Sequence, residues 1–239
     1  MADIETAVIA GVGPGLGAAL ARRCAKDGMR VAVSSRDGGR LDSIAKESAA
    51  ATGAMVRAYA ADSTDQAAVG RLFERVASEL GEPSLVVYNA GAFAPGSVLE
   101  IDPAEFERCW RVGCYGGFLV GQAAARRMAA RGGGTILFTG ATASLRGGAR
   151  FLNLAVGKFG LRALAQSMAR ELGPKGVHVA HVIVDGQIDS ERYAALRAER
   201  GPDALLHPDA IAESYWQLHL QPRSAWTQEL DLRPWTEKF

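Results

Sequence analysis

Two stretches of this chain carry residue types whose spacing allows chemistry. Near the start it reads "AGVGPGLGAAL", with glycines at Gly11, Gly13, Gly15 and Gly17. Glycine supplies the backbone freedom of a tight turn, and a pyrophosphate approaches a backbone closely only where no Cβ intrudes. The apolar run before the loop reads as a strand and the pattern after it as a helix. Such a helix points free N–H groups and its positive dipole end at bound phosphates. In the second half, "NLAVGKFGL" sets Lys158 in an otherwise apolar helical stretch. A buried, unpaired ammonium is costly, and ribose hydroxyls are a natural partner for it. The other reading is an exposed helix lysine.

The second strand-like run ends "VAVSSRDGGR". An NAD site usually carries an acidic residue there for the ribose hydroxyls. Here Ser35 stands in that place, followed by Arg36. A guanidinium with neighbouring hydroxyls suits a 2′-phosphate through charge-assisted hydrogen bonds, which favours NADP(H) over NAD(H). Asp37 lies close by, and an ordinary solvated loop residue is the alternative for Arg36.

These groups need elements to position them. Apolar runs "TAVIAGV", "RVAVSS", "AMVRAYA", "SLVVYNA", "GTILFTG", "VHVAHVIV" and "AWTQELDL" alternate with helical patterns. That alternation predicts βαβ units, and runs apolar throughout suit strands buried on both faces. The expected fold is α/β: a single Rossmann-like, doubly wound domain over 1–239, its seven-stranded parallel sheet flanked by helices on both faces. One long helix is expected over Ala104–Arg131 and another over Ala149–Leu172.

The bulk properties narrow the function. The 239 residues are 48% hydrophobic and 22% charged, with a formal charge of +1, which gives no global field for gripping nucleic acid or a membrane surface. No apolar run reaches a membrane span and no signal peptide opens the chain, so a cytoplasmic protein is expected. Cys24, Cys109 and Cys114 lack CxxC spacing, which fits a reducing compartment. His178 and His181 point to opposite faces of a strand, and no metal site is expected.

The glycine loop, the acidic "Asp62-Ser63" after strand three, "Asn89-Ala90-Gly91" after strand four and Lys158 fall in a fixed order. Together they resemble the short-chain dehydrogenase/reductase family over practically the whole chain. The resemblance implies hydride transfer between a nicotinamide and a carbonyl or alcohol. It implies that Asp62 and Ser63 contact adenine, that Asn89, Ala90 and Gly91 line the cofactor groove, and that Lys158 holds the nicotinamide ribose. Leu16, at the loop–helix junction, and Gly186 and Ile188, after strand six, complete the cofactor positions. In the family a tyrosine protonates the substrate oxygen, aided by the lysine's charge, a serine bonds that oxygen, and an asparagine anchors a water chain.

Here the sequence departs from the pattern. Leu154 holds the tyrosine position, Ala141 the serine position and Gly113 the asparagine position. Thr142 is a conceivable substitute only if the chain bends, because it alternates with Ala141 in an extended strand. Asp185-Gly186 replaces the usual Pro-Gly at the head of a polar segment that carries the substrate lid in the family. Three functions remain open: an NADP-linked oxidoreductase with unconventional proton delivery, a nucleotide-binding sensor or scaffold without turnover, and an enzyme of another class such as a lyase or isomerase. A small-molecule substrate of unknown identity and a homodimer or homotetramer through the two long helices are expected.

Overall fold

The computed structural model describes residues 4–201 and 203–237. Seven strands, β1 (Thr6–Ala10), β2 (Arg30–Ser35), β3 (Val56–Ala60), β4 (Pro83–Tyr88), β5 (Gly134–Thr139), β6 (Val177–Val184) and β7 (Glu229–Leu232), form one sheet in the order β3-β2-β1-β4-β5-β6-β7. Every pairing is parallel. The predicted α/β fold is the one found.

Period-two alternation divides the core. Ala7 and Ile9 of β1 pack with helices α1 (Leu16–Lys26), α2 (Gly38–Thr52) and α8 (Pro208–His219). Val8 and Ala10 face the opposite layer, made of α3 (Gln66–Glu79), α5 (Gly116–Arg131) and α6 (Leu152–Leu172). Every residue of β1 and β6 is buried, as a strand covered on both faces requires. The chain reverses its winding between β1 and β4, and it is outside the carboxyl ends of strands at such a switch that ligands bind.

The long helix expected over Ala104–Arg131 is interrupted. Helix α4 (Pro103–Trp110) passes into a π-turn, Arg111–Tyr115, before α5 begins. Inside the turn the Tyr88 hydroxyl donates to the Val112 carbonyl at 2.6 Å. Gly113 lies so close to α6 that a Cβ added to it would sit 3.3 Å from Gly157 Cα. Two residues without side chains thus let the helices meet backbone to backbone. Helix α6 starts at Leu152 rather than Ala149, because Arg150 takes a positive φ of 68° that no helix continues through. The segment after β6 holds a short 3₁₀ turn, Glu191–Tyr193, and helix α7 (Ala194–Arg200). Strand β7 covers only the last four residues of its predicted run.

The approach of the π-turn to α6 predicts an over-packing penalty. Gly157→Val is expected to lower unfolding free energy by about 1–3 kcal/mol, read from urea denaturation against wild type. An unchanged midpoint would show that the helices separate freely at this point.

Candidate active site

The cleft at the β1/β4 switch, about 260 Å³, is lined by most of the residues that the motifs single out. Gly11 takes a φ of +86°, and its backbone abuts Ala90 so tightly that any Cβ would overlap Ala90 N. Gly17 similarly backs onto Val12, whose Cα is 2.7 Å from a would-be Cβ. Gly13 and Gly15 have nothing within 4 Å of that position. The four glycines therefore divide into two that packing demands and two that keep a surface open. Gly15 is also the N-cap of α1 and offers no side chain; Ala18 N donates to the Gly13 carbonyl at 3.0 Å, so the N–H groups of Leu16 and Gly17 are the ones without a side-chain cap.

The rest of the cleft is held by short, specific bonds. Asn89 Nδ2 donates to the Gly11 carbonyl at 3.1 Å, tying the loop after β4 to the glycine turn. Asp62 accepts from both Thr64 N and Thr64 Oγ1 at 2.8 Å. Partial burial raises the Asp62 pKa, but these two donors, with Arg36 and Arg111 nearby, outweigh it and hold the carboxyl below its ordinary value. Ser63 Oγ lies 3.3 Å from the Tyr88 hydroxyl. Arg36 lines the cleft, is exposed, and has no hydrogen-bond or ion-pair partner among the described residues. Ser35 Oγ donates to the Asp37 carbonyl at 3.5 Å. Asp37 is occupied as the N-cap of α2, accepting from Arg40 N at 3.2 Å. The carboxylate that complicated the choice of nucleotide has a structural task of its own.

Lys158 is buried at 5% exposure, and its Nζ donates to the Thr139 carbonyl at the end of β5, 2.7 Å away. A Cβ on Gly91 would lie 3.6 Å from that Nζ, so the ammonium stands directly behind the Asn89–Gly91 edge of the cleft. No carboxylate lies within ion-pair distance of it among the described residues. Burial alone lowers its pKa from 10.5 to about 8. The exposed-lysine reading is therefore excluded.

Near Lys158 the surroundings turn apolar. Leu154 is half-buried one helical turn before the lysine, Ala141 is half-buried, and Gly113 is buried in the π-turn. Asn153 Nδ2 donates to the Ala94 carbonyl at 2.8 Å, and Gly96 N donates to the Arg150 carbonyl at 3.2 Å. These bonds zip the loop after β4 to the start of α6. Phe93 and Phe151 stack across that seam with ring centroids 4.7 Å apart.

The Leu16 side chain belongs to the core under α1, and only its backbone adjoins the loop. Gly186, at a φ of +146°, packs against Pro234, and Ile188 forms a bridge with Leu206. Thr142 is not confined to the far side of an extended strand. Ala141 is extended, but the chain then turns into a 3₁₀ segment, Thr142–Ser144. The Thr142 hydroxyl donates to Asp185 Oδ1. Ser144 is fully buried, its Oγ accepting from Ala141 N at 3.1 Å and lying 3.3 Å from His181 Nε2. Sequence reasoning missed Asn153 and the Thr142–Asp185 pair. The one available signal was an acidic residue where a proline was expected.

A parallel sheet with a glycine turn, a helix N-terminus without a side-chain cap and a buried ammonium beside one switch-point cleft defines a doubly wound α/β protein. Residues 5–201 match the family model described as short chain dehydrogenase. The chain belongs to that family. It is 32% identical over 192 residues to the 3-oxoacyl-[acyl-carrier-protein] reductase MabA of Mycobacterium tuberculosis, covering 80% of this chain and 72% of the relative. A short-chain dehydrogenase from Rhodopseudomonas palustris shares 39% identity and superposes with a TM-score of 0.82, covering 97% and 99% of the two chains. The alcohol dehydrogenase of Thermococcus sibiricus, solved with 5-hydroxy-NADP, shares 27% identity at a TM-score of 0.87 and covers 99% of each chain. Among the described residues no helix is long and apolar enough to cross a membrane.

The buried lysine has a measurable signature. Between about pH 8 and 10.5 the unfolded chain binds a proton that the folded chain has released, so this group's contribution to stability rises with pH across that window. Below it, the folded state carries the whole desolvation cost. Lys158→Met is therefore expected to be more stable than wild type at pH 7, with the difference shrinking toward pH 10.5. A difference independent of pH, measured by denaturant unfolding, would contradict the burial of a charged amine.

Proposed function

We propose that this protein is an NADP(H)-binding oxidoreductase acting on a small alcohol or carbonyl compound, and that it works without the phenol its family ordinarily uses. The observation that carries the reading is the pairing of a preserved nucleotide cleft with hydrocarbon at its reactive end. Lys158 stands buried beside Gly91, while residue 154, one turn earlier, is a leucine. The glycine turn and the start of α1 would hold the pyrophosphate, and Asp62 and Ser63 the adenine. Asn89 to Gly91 would back the nicotinamide half, and Lys158 would take the ribose hydroxyls, giving its amine a better partner than one carbonyl. When bound, the nicotinamide supplies hydride chemistry. Arg36, exposed and without a hydrogen-bond or ion-pair partner among the described residues, with Ser35 beside it and Asp37 tied up in its cap, supports a 2′-phosphate over a free ribose.

Residues 154, 141 and 113 are leucine, alanine and glycine, so no side chain there moves a proton. Loss of a general acid costs on the order of 10²–10⁴ in rate. That triple absence is also what supports a second reading, a nucleotide-binding sensor or scaffold without turnover. Self-association as a dimer or tetramer is part of the proposal. Its support is the exposed apolar side chains of Phe118 on α5 and of Val156 and Phe159 on α6.

Fluorescence titration tests the nucleotide assignment. NADPH is expected to bind at least about ten-fold more tightly than NADH, which corresponds to about 1.4 kcal/mol, and Arg36→Ala should erase most of that gap. Equal affinities, or no binding of either, would overturn it. The catalytic register has its own test, with Gly113 left in place because of its contact with Gly157. Leu154→Tyr combined with Ala141→Ser should raise NADPH-dependent reduction across a panel of aldehydes, ketones and quinones. A folded, nucleotide-binding double variant with no gain would show that these positions do not face the reacting atoms.

A further inference from the structure

We infer that Thr142 and Asp185, just past the carboxyl ends of β5 and β6, form a proton-accepting pair that serves the oxidation of an alcohol. The inference rests on the reading that a nicotinamide dinucleotide occupies the cleft.

Strands β5 and β6 are neighbours, with Thr139 registered against Val182. Three residues beyond each of these come Thr142 and Asp185, both past the carboxyl ends of their strands, where ligands of open α/β sheets bind. The turn that follows Ala141 swings Thr142 toward β6, and its hydroxyl donates to Asp185 Oδ1. The carbonyl that holds the Lys158 ammonium belongs to Thr139, so the pair stands at the same strand end as that cation.

The other hydroxyls nearby are turned away from this edge. Thr139 Oγ1 is buried and accepts from the Tyr215 hydroxyl at 2.9 Å, and Ser144 is sealed against His181. Thr142 is half-exposed and has a carboxylate behind it. Asp185 itself is 5% exposed, and its Oδ2 lies 3.4 Å from Arg233 Nη2. Arg233 also pairs with Asp231 and feels Glu237. These are the charged groups arranged around the Asp185 carboxylate.

The orientation of the hydrogen bond sets the direction of proton flow. Because Thr142 spends its own hydrogen on Asp185, its oxygen is left to accept. An alcohol placed there passes its O–H proton to Thr142 Oγ1 while Thr142 passes its hydrogen to Asp185 Oδ1. The alcohol's C–H hydrogen departs as hydride to the oxidised nicotinamide, and the C–O bond becomes a carbonyl. The alcohol thus loses two electrons and two hydrogens, one held by the reduced cofactor and one by Asp185, which later releases it to water. Thr142 is the catalytic residue of this scheme, and Asp185 is the terminal acceptor.

The experiment uses the full chain with NADP⁺ and 2-propanol, cyclohexanol and 1-phenylethanol as probes. Wild type is expected to oxidise at least one of them, with a rate that climbs along an acidic limb of the pH profile. Asp185→Asn and Thr142→Val should each lower kcat about 10²-fold or more and abolish that limb. Thr142→Ser should restore it, and added formate should partly rescue Asp185→Ala. A readout independent of turnover comes from the infrared spectrum of the nucleotide-free protein. The carboxylate band lost in Asp185→Asn should shift in Thr142→Val, and a band that stays put would deny the contact. If NADP⁺ binds, by tryptophan fluorescence, and no alcohol is oxidised, or the Asn and Val variants match wild type, the proton pair is wrong and the nucleotide assignment stands. If NADP⁺ and NADPH both fail to bind, the nucleotide assignment fails and takes this inference with it.

Discussion

An ammonium buried against a single backbone carbonyl is the constraint around which this molecule is arranged. Lys158 Nζ has the Thr139 carbonyl for a partner and no carboxylate within reach among the described residues. Desolvation of such a charge costs free energy, and a structure keeps it only where something else depends on it. The surrounding architecture is consistent with that dependence. Helix α6 reaches the sheet end because Gly157 and Gly113 let two helix backbones touch, and Gly91 leaves room for the amine beside the cleft. Tyr88, reaching up from β4, bonds the carbonyl in the π-turn that carries Gly113.

Around that cation, polar groups are divided between holding structure and meeting ligand. Asp37 caps α2, Ser144 and His181 bond each other in the interior, and Tyr215 and Thr139 join a helix to a strand. His181 is fully buried, and burial pushes its pKa down to about 4, so it remains a neutral hydrogen-bonding group at physiological pH. By contrast, among the described residues Arg36 has no hydrogen-bond or ion-pair partner, and none lies within 4 Å of where a Cβ on Gly13 or Gly15 would stand. These are the groups a dinucleotide would engage, and Phe93 and Phe151 stack across the seam between the loop after β4 and α6.

Much of this was legible in the sequence because it depends on local pattern. Short runs that are apolar throughout, alternating with helical patterns, indicate the parallel sheet, and the order of the glycine loop, Asp62, Asn89 and Lys158 places them at one edge. What escaped depends on tertiary geometry. Nothing local in "CWRVGCYGG" announces a π-turn, since Gly113 matters only through its contact with Gly157 on another helix. Arg150 gives no residue-type warning of a positive φ, so the start of α6 was placed three residues early. The roles of Gly186 and Ile188 came from resemblance alone, and their contacts with Pro234 and Leu206 had no local signal. Strand alternation left Thr142 open to a role only if the chain bent, and the chain does bend after Ala141.

The most direct measurement is the titration of the Lys158 amine itself, followed by NMR of protein carrying ¹³C at lysine Cε and assigned by the signal missing in Lys158→Met. In nucleotide-free protein it should titrate near pH 8, more than two units below an exposed lysine. Saturating NADP(H) should raise that midpoint as ribose hydroxyls and phosphate charge join the Thr139 carbonyl. A midpoint near 10.5 that ignores the nucleotide would contradict the account, because the amine would then be solvated and its place behind the cleft without consequence.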